Sequence, residues 1–264
     1  MKNSLYISSV LAVTICVLSA PLLAADALPK TDFPSSVISA KAAKSGIKTA
    51  WYDDATTRYA HGVLGDAIEP SSLHAKTANG KVVSITLEAV QVFEDIQPRL
   101  ADIDGDGQNE IITIRSHNQK GAQIAVYGIT KAAPNTLSLI TSTPYIGQAY
   151  RWLSPVGIAD FNNDGAMDIA YIDRPHLAKI LRVWSYNNGS LKQVGQKQGL
   201  TNHSIGHNYI TGGVQRCGNK SFMITVDSNW QRLIKTNFES GKLNSQDIGP
   251  YTGKASAAAA LNCQ

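Results

Sequence analysis

Oxygen-bearing side chains alternate through two nine-residue stretches, Asp102-Ile-Asp-Gly-Asp-Gly-Gln-Asn-Glu110 and Asp160-Phe-Asn-Asn-Asp-Gly-Ala-Met-Asp168. A hard cation such as Ca²⁺ takes roughly six to eight oxygens at ~2.3–2.6 Å, and a tight loop presents them from alternate residues. The donors expected in the first loop are Asp102, Asp104, Asp106, the carbonyl of Gln108 and Glu110. In the second they are Asp160, Asn162, Asp164, the carbonyl of Ala166 and Asp168. Gly107 and Gly165 stand where the backbone must reverse to bring both halves of each loop onto one ion. An EF-hand is excluded, because its twelfth position, the place of a bidentate glutamate, holds Thr113 or Tyr171 in strand-like sequence. The competing reading is a pair of polar turns that use Asp and Gly for backbone reasons. Carboxylates crowded into so short a loop repel one another without a cation, and this favours two Ca²⁺ sites. The first loop carries more carboxylates and is expected to bind more tightly, with Glu110 in place of a shorter Asp as the one feature that loosens it.

Other chemistry-bearing residues are sparser. Of three cysteines, Cys16 lies in the predicted signal peptide; the two that a mature chain keeps, Cys217 and Cys263, fall at matching repeat positions, and an even count in an oxidising compartment favours one disulfide between them. His203 and His207 have a spacing seen in zinc sites, but Gly206 argues against a helix and no glutamate base lies between them. No Gly-x-Ser-x-Gly elbow or phosphate-binding glycine loop is present, so the chain is not read as an enzyme.

The elements that position the loops emerge from internal repetition. Leu100-Ala-Asp-Ile103 resembles Ile158-Ala-Asp-Phe161 and, more faintly, Val214-Gln-Arg-Cys217 and Ala260-Leu-Asn-Cys263. Strands are predicted behind the first three at Glu110–Arg115, Asp168–Ile172 and Phe222–Val226. Third strands follow at 122–129, 180–186 and 233–238, and fourth strands at 137–143, 191–196 and 243–248. Tight turns are predicted at Asn188-Gly189 and Ser240-Gly241. Gly62–Gly65, Leu73–Thr77 and Val82–Leu87 supply three strands of an N-terminal unit, which the strand around Cys263 would complete. The expectation is an all-β fold, a small β-propeller of four blades closed by the C-terminal strand, with five blades as the alternative. The acidic loops then share one face with the tight turns. The opposite face gathers Tyr145, Tyr150, Trp152, Arg174, His176, His203, His207, Tyr209 and Trp230, as a ligand surface or as packing between blades.

Leu100–Thr113 and Gly157–Tyr171, acidic loops that each end in an acidic residue opening an apolar strand, resemble the FG-GAP or VCBS repeats of integrin-alpha-type β-propellers. Together with Arg58–Asp66 and Tyr171–His176, they make the chain similar to small secreted bacterial proteins of that class. The resemblance implies calcium-stabilised blades and a binding or scaffold role, and implies no reaction.

Residues 1–24 read as a secretory signal peptide: Lys2, an apolar run broken by Ser8, Ser9, Thr14, Ser19 and Pro21, then Leu22-Leu23-Ala24-Ala25. Residues 25–50 read as a flexible leader and 51–264 as the propeller. A net charge of +4, spread evenly, does not suggest a nucleic-acid partner, and no segment of the mature chain is apolar enough to span a bilayer. The predicted function is an exported calcium-binding module, periplasmic or extracellular, recognising an unknown protein or glycan. The rival is a hydrolase or lyase working over the channel through His207, His176 or Arg174.

Overall fold

The computed structural model describes Met1, residues 28–40 and residues 45–263. The predicted signal peptide and the first leader residues, 25–27, lie outside the described residues apart from Met1. Among the described residues, eighteen strands form four antiparallel sheets in chain order. Sheet 1 runs β1 (Ile38–Ser39), β2 (Ile47–Thr56), β3 (Glu69–Thr77) and β4 (Val82–Thr86). In sheet 2, β5 (Gln91–Phe93) and β6 (Arg99–Ala101) both pair with β7 (Glu110–His117), followed by β8 (Gly121–Thr130) and β9 (Ala133–Ser142). Sheet 3 comprises β10 (Leu153–Ala159), β11 (Asp168–Asp173), β12 (Ile180–Asn187) and β13 (Ser190–Gln198). In sheet 4, β14 (Leu200–Thr201) and β15 (Gly213–Cys217) pair with β16 (Lys220–Asp227), then β17 (Arg232–Glu239) and β18 (Lys242–Pro250).

Successive sheets stack through apolar faces. Tyr52, Leu73 and Val83 meet Phe93, Ile111 and Tyr127 between sheets 1 and 2. Ile112, Ile114 and Ile124 meet Ile158, Ile169 and Tyr171 between sheets 2 and 3. Ala170, Leu181 and Val183 meet Met223 and Phe238 between sheets 3 and 4. The middle strands β7 and β11 are buried along nearly their whole length, which explains their runs of Ile and Ala without strict alternation. The outer strands β13 and β18 have no buried residue and carry Lys192, Lys197 and Lys242, the polar dressing that discourages edge-to-edge pairing. Curled antiparallel sheets packed in this order are a β-propeller-like, all-β arrangement.

The last and first units depart from expectation. Gly62–Gly65 is a turn rather than a strand, with both glycines at positive φ (67° and 115°). The strand needed there is β2, whose first residues, 47–50, fall in the stretch that reads as leader, and β1, wholly within that stretch, precedes it. The C-terminal segment adds no strand to sheet 1. Its alanine-rich run forms helix α1 (Lys254–Ala259), as good helix formers do. Ala257 and Ala260 of that segment cover Ile224, Val226 and Leu233 of sheet 4. Between sheets 4 and 1, the amide of Gly206 donates to the carbonyl of Val63 at 3.2 Å.

Cys217 and Cys263 form the predicted disulfide, with Cα atoms 5.6 Å apart. It ties the end of β15 to the tail beyond α1, where Gln215 also donates to the carbonyls of Ala260 and Asn262 at 2.9 and 2.8 Å. It fastens this tail to sheet 4, in place of a closing strand.

Candidate functional site

Each acidic loop is a connection between the first and second main strands of its sheet, 102–109 leading into β7 and 160–167 into β11. In the first, both carboxylate oxygens of Asp102 accept backbone amides, from Gly105 (2.8 Å) and Gly107 (2.9 Å). Asp104 accepts from the Asp106 amide at 3.1 Å, and Asp106 from the Gln108 amide at 2.8 Å. Asp102, Asp104 and Asp106 each bring a carboxylate oxygen within 4.8 Å of the others. Glu110 is turned inward, 6 % exposed, and accepts the Ile103 amide at 2.9 Å.

The second loop repeats this wiring. Asp160 accepts from Asp164 (3.2 Å) and Gly165 (2.9 Å), Asn162 from Asp164 (3.1 Å), and Asp164 from Ala166 (2.8 Å). Asp168 is fully buried; one oxygen accepts the Phe161 amide at 3.1 Å, and the other, Oδ1, makes no hydrogen bond of good geometry, although the Ser185 hydroxyl is close enough to favour the charged carboxylate. Burial, reinforced by the other loop carboxylates, pushes Glu110 up to about 7 and Asp168 up to about 6. The backbone hydrogen bonds satisfy the competing reading of these loops as Asx turns, yet each carboxylate oxygen has a second lone pair left for a cation.

The opposite ends of the strands enclose a cavity of about 210 Å³. Tyr150, Trp152, Arg174 and His176, all predicted for this face, line it together with His61 and Arg151. Trp152 is buried at 2 % exposure and donates its indole N–H to the Glu94 carbonyl at 2.7 Å, so it is a wall rather than an exposed contact. Arg174, at φ 47°, donates two hydrogen bonds to Asp173 at 2.7 and 3.0 Å, and Arg182 donates to the same carboxylate at 2.9 Å.

Behind His176 lies a relay. Its Nε2 is 3.0 Å from Nδ1 of His203, whose Nε2 is 2.7 Å from the His207 carbonyl. Burial is the largest cause that pushes both His176 and His203 down to about 4, so both are neutral at pH 7. His207 stacks on Tyr209 with centroids 4.7 Å apart and gives the cavity only its carbonyl's support of His203. Tyr209 is capped by the Lys254 ammonium at 4.7 Å. Trp230 stands apart, packed on Tyr251 at 5.4 Å. Tyr145 lies over the neighbouring hollow beside Arg182 and Trp184.

Sequence reasoning missed the wall opposite His176. There the Nδ1 of His61 bonds to Glu94, a carboxylate with no exposed surface that also accepts from the Ser116 hydroxyl. Burial raises Glu94, and His61 is the main opposing influence. Next along the chain, Asp95 takes both arms of Arg99 at 2.6 and 3.1 Å. The available signal was Val92-Phe93-Glu94-Asp95, two acids directly after an apolar strand, where a carboxylate must enter the core with a partner.

The stacked sheets and paired acidic loops define a repeat protein of propeller-like build. Residues 102–171, which include both loops, match the FG-GAP-like repeat family. The chain carries an FG-GAP-like repeat in that span. Among curated proteins, none matches the chain. Among the described residues, no helix is long and apolar enough to cross a membrane.

Proposed function

We propose that this chain is an exported, calcium-stabilised β-propeller of four blades, one per sheet, that serves as a protein- or glycan-binding module and not as an enzyme. Two Ca²⁺ ions would be held by Asp102, Asp104, Asp106, Glu110 and the Gln108 carbonyl, and by Asp160, Asn162, Asp164, Asp168 and the Ala166 carbonyl. The observation that carries the calcium reading is Asp168: a fully buried carboxylate whose second oxygen has at best the weak support of the Ser185 hydroxyl is costly, and a cation at the loop would offset that cost. An all-oxygen donor set suits a hard ion. Bound there, the ion neutralises crowded charge and pins the loop to the strand that follows it. A disulfide accords with export to an oxidising compartment.

The binding role is supported by the division of labour between the two ends, acidic loops at one and a cavity with an aromatic and apolar rim at the other. A pull-down from envelope extract tests it, run with calcium and again with chelator. Calcium-dependent capture of one partner, lost when Tyr150 is changed to Ala, is expected. Capture that ignores both would count against the module.

The hydrolase or lyase reading has one observation in its favour. Arg174 and His176 line the same cavity, and His61 joins them with its imidazole oriented by a buried carboxylate. His207 does not join them. Turnover of any glycoside or ester that His61→Ala abolishes, with the fold intact, would move the function to that class.

A further inference from the structure

The hydrogen-bonding sense of the cavity wall can be worked out from its far end. A carbonyl only accepts, so the proton between His203 and the His207 carbonyl sits on Nε2 of His203. Neutral His203 then has a lone pair on Nδ1, and the hydrogen bond at 3.0 Å requires Nε2 of His176 to donate. The nitrogen that His176 has left for a ligand is Nδ1, an acceptor. Arg151 lines the same cavity; its guanidinium spends one N–H on the Tyr150 carbonyl at 2.8 Å and offers the rest as donors. On the other side, His61 has its Nδ1 committed to Glu94 and keeps Nε2.

The rim is apolar and exposed. Leu177 is 64 %, Ile205 70 % and Tyr150 48 % solvent-accessible, a concentration that water alone does not favour. Tyr150 is also held in place. Its φ of 54° is a conformation that non-glycine residues rarely adopt. Its amide donates to the Tyr59 hydroxyl at 2.9 Å, and its ring stacks on Tyr59 at 5.1 Å. A strained, doubly anchored aromatic at the mouth of a cavity is a preorganised platform.

We propose that this cavity binds a neutral pyranose, the terminal ring of a glycan. The proposal rests on the binding-module reading above and names the ligand of that same site. A hydroxyl both donates and accepts, so it satisfies the His176 lone pair and an Arg151 N–H at once. A carboxylate would bring its lone pairs against that of His176, and a wholly apolar ligand would leave both groups unpaired. The C–H face of the ring covers Tyr150 and Leu177. The volume of about 210 Å³ is below the roughly 300–1,000 Å³ of drug-sized sites, which fits one ring with the rest of the glycan outside.

The test is calorimetric titration of the full mature chain with methyl glycosides of glucose, galactose, mannose and N-acetylglucosamine, and with methyl glucuronide as the acidic counterpart. At least one neutral glycoside is expected to bind with a dissociation constant on the order of 1 mM, about −4 kcal/mol. The glucuronide should be at least tenfold weaker than its glucoside. His176→Phe and Arg151→Gln should each cost tenfold or more with the calcium titration unchanged, and Arg151→Gln, which removes no buried hydrogen bond, should also leave the melting temperature unchanged. No binding by any neutral glycoside, preference for the glucuronide, or variants that bind like the parent protein would overturn the proposal. Sugar binding accompanied by turnover would uphold the pyranose site while contradicting the module, and sugar binding without calcium binding would uphold it while contradicting the metal.

Discussion

Glu69 opens β3 with 2 % of its surface exposed, and burial, then the charges of Glu94, Asp66 and Asp95, push its carboxyl up to about 10. In the unfolded chain the same group titrates near 4.3. The folded protein therefore holds a proton that the unfolded chain releases, and stability falls as pH rises from about 4.3 towards 10. Glu69→Gln, neutral at every pH, removes that dependence. At pH 7 the variant should be more stable by about 3 kcal/mol, and the difference should vanish below about pH 4. Urea denaturation of both proteins across that range measures it; equal stabilities at pH 8 would contradict the account. The donors of the acidic loops were legible in the sequence because alternation around a glycine is a local pattern. Glu94 and Glu69 escaped notice because nothing local distinguishes a buried acid from a solvated one. Only the approach of His61, on a different sheet's connection, shows what Glu94 is for.

At the scale of elements, the strands after the acidic loops lie close to where the repeats put them, and the turns at Asn188-Gly189 and Ser240-Gly241 adopt the expected positive φ at both residues. The failures cluster at the termini. Residues 47–50 open strand β2, but Pro29, Pro34 and neighbouring serines placed them with the leader, predicted to end at residue 50. At the other end, register with earlier repeats suggested a strand where helix propensity prevails, since Ala257 to Ala260 is a run of the best helix former. The disulfide was read correctly from register, although the segment it secures is not a strand. Its sequence separation is 46 residues, for which loop entropy gives about 4 kcal/mol at most. Replacing both cysteines by serine should lower stability by up to that amount in chemical denaturation and loosen α1 first, read as faster amide exchange at Ala257 to Leu261. Exchange unchanged in the variant would mean that apolar packing alone holds the tail.

For the whole molecule, three apolar interfaces join four sheets in sequence order, and the acidic loops sit at the entries to the buried strands β7 and β11 of sheets 2 and 3. An ion at either loop therefore stabilises a strand at the heart of the stack. Calcium at about 100 times its dissociation constant should add roughly 2.7 kcal/mol per site. The melting temperature should rise with calcium and return to its starting value with chelator. Magnesium should do less, because it demands near-octahedral geometry and gives up water reluctantly. A melting temperature indifferent to both ions would leave the acidic loops as turns.

The most direct test is isothermal titration of the exhaustively chelated mature chain with Ca²⁺, alongside the Asp168→Asn variant. The expected result is two sites in the parent protein, the tighter at Asp102–Glu110, with only that one surviving in the variant. An absence of heat in the parent, or two sites that persist when Asp168 is replaced, would contradict the claim that these loops hold the metal.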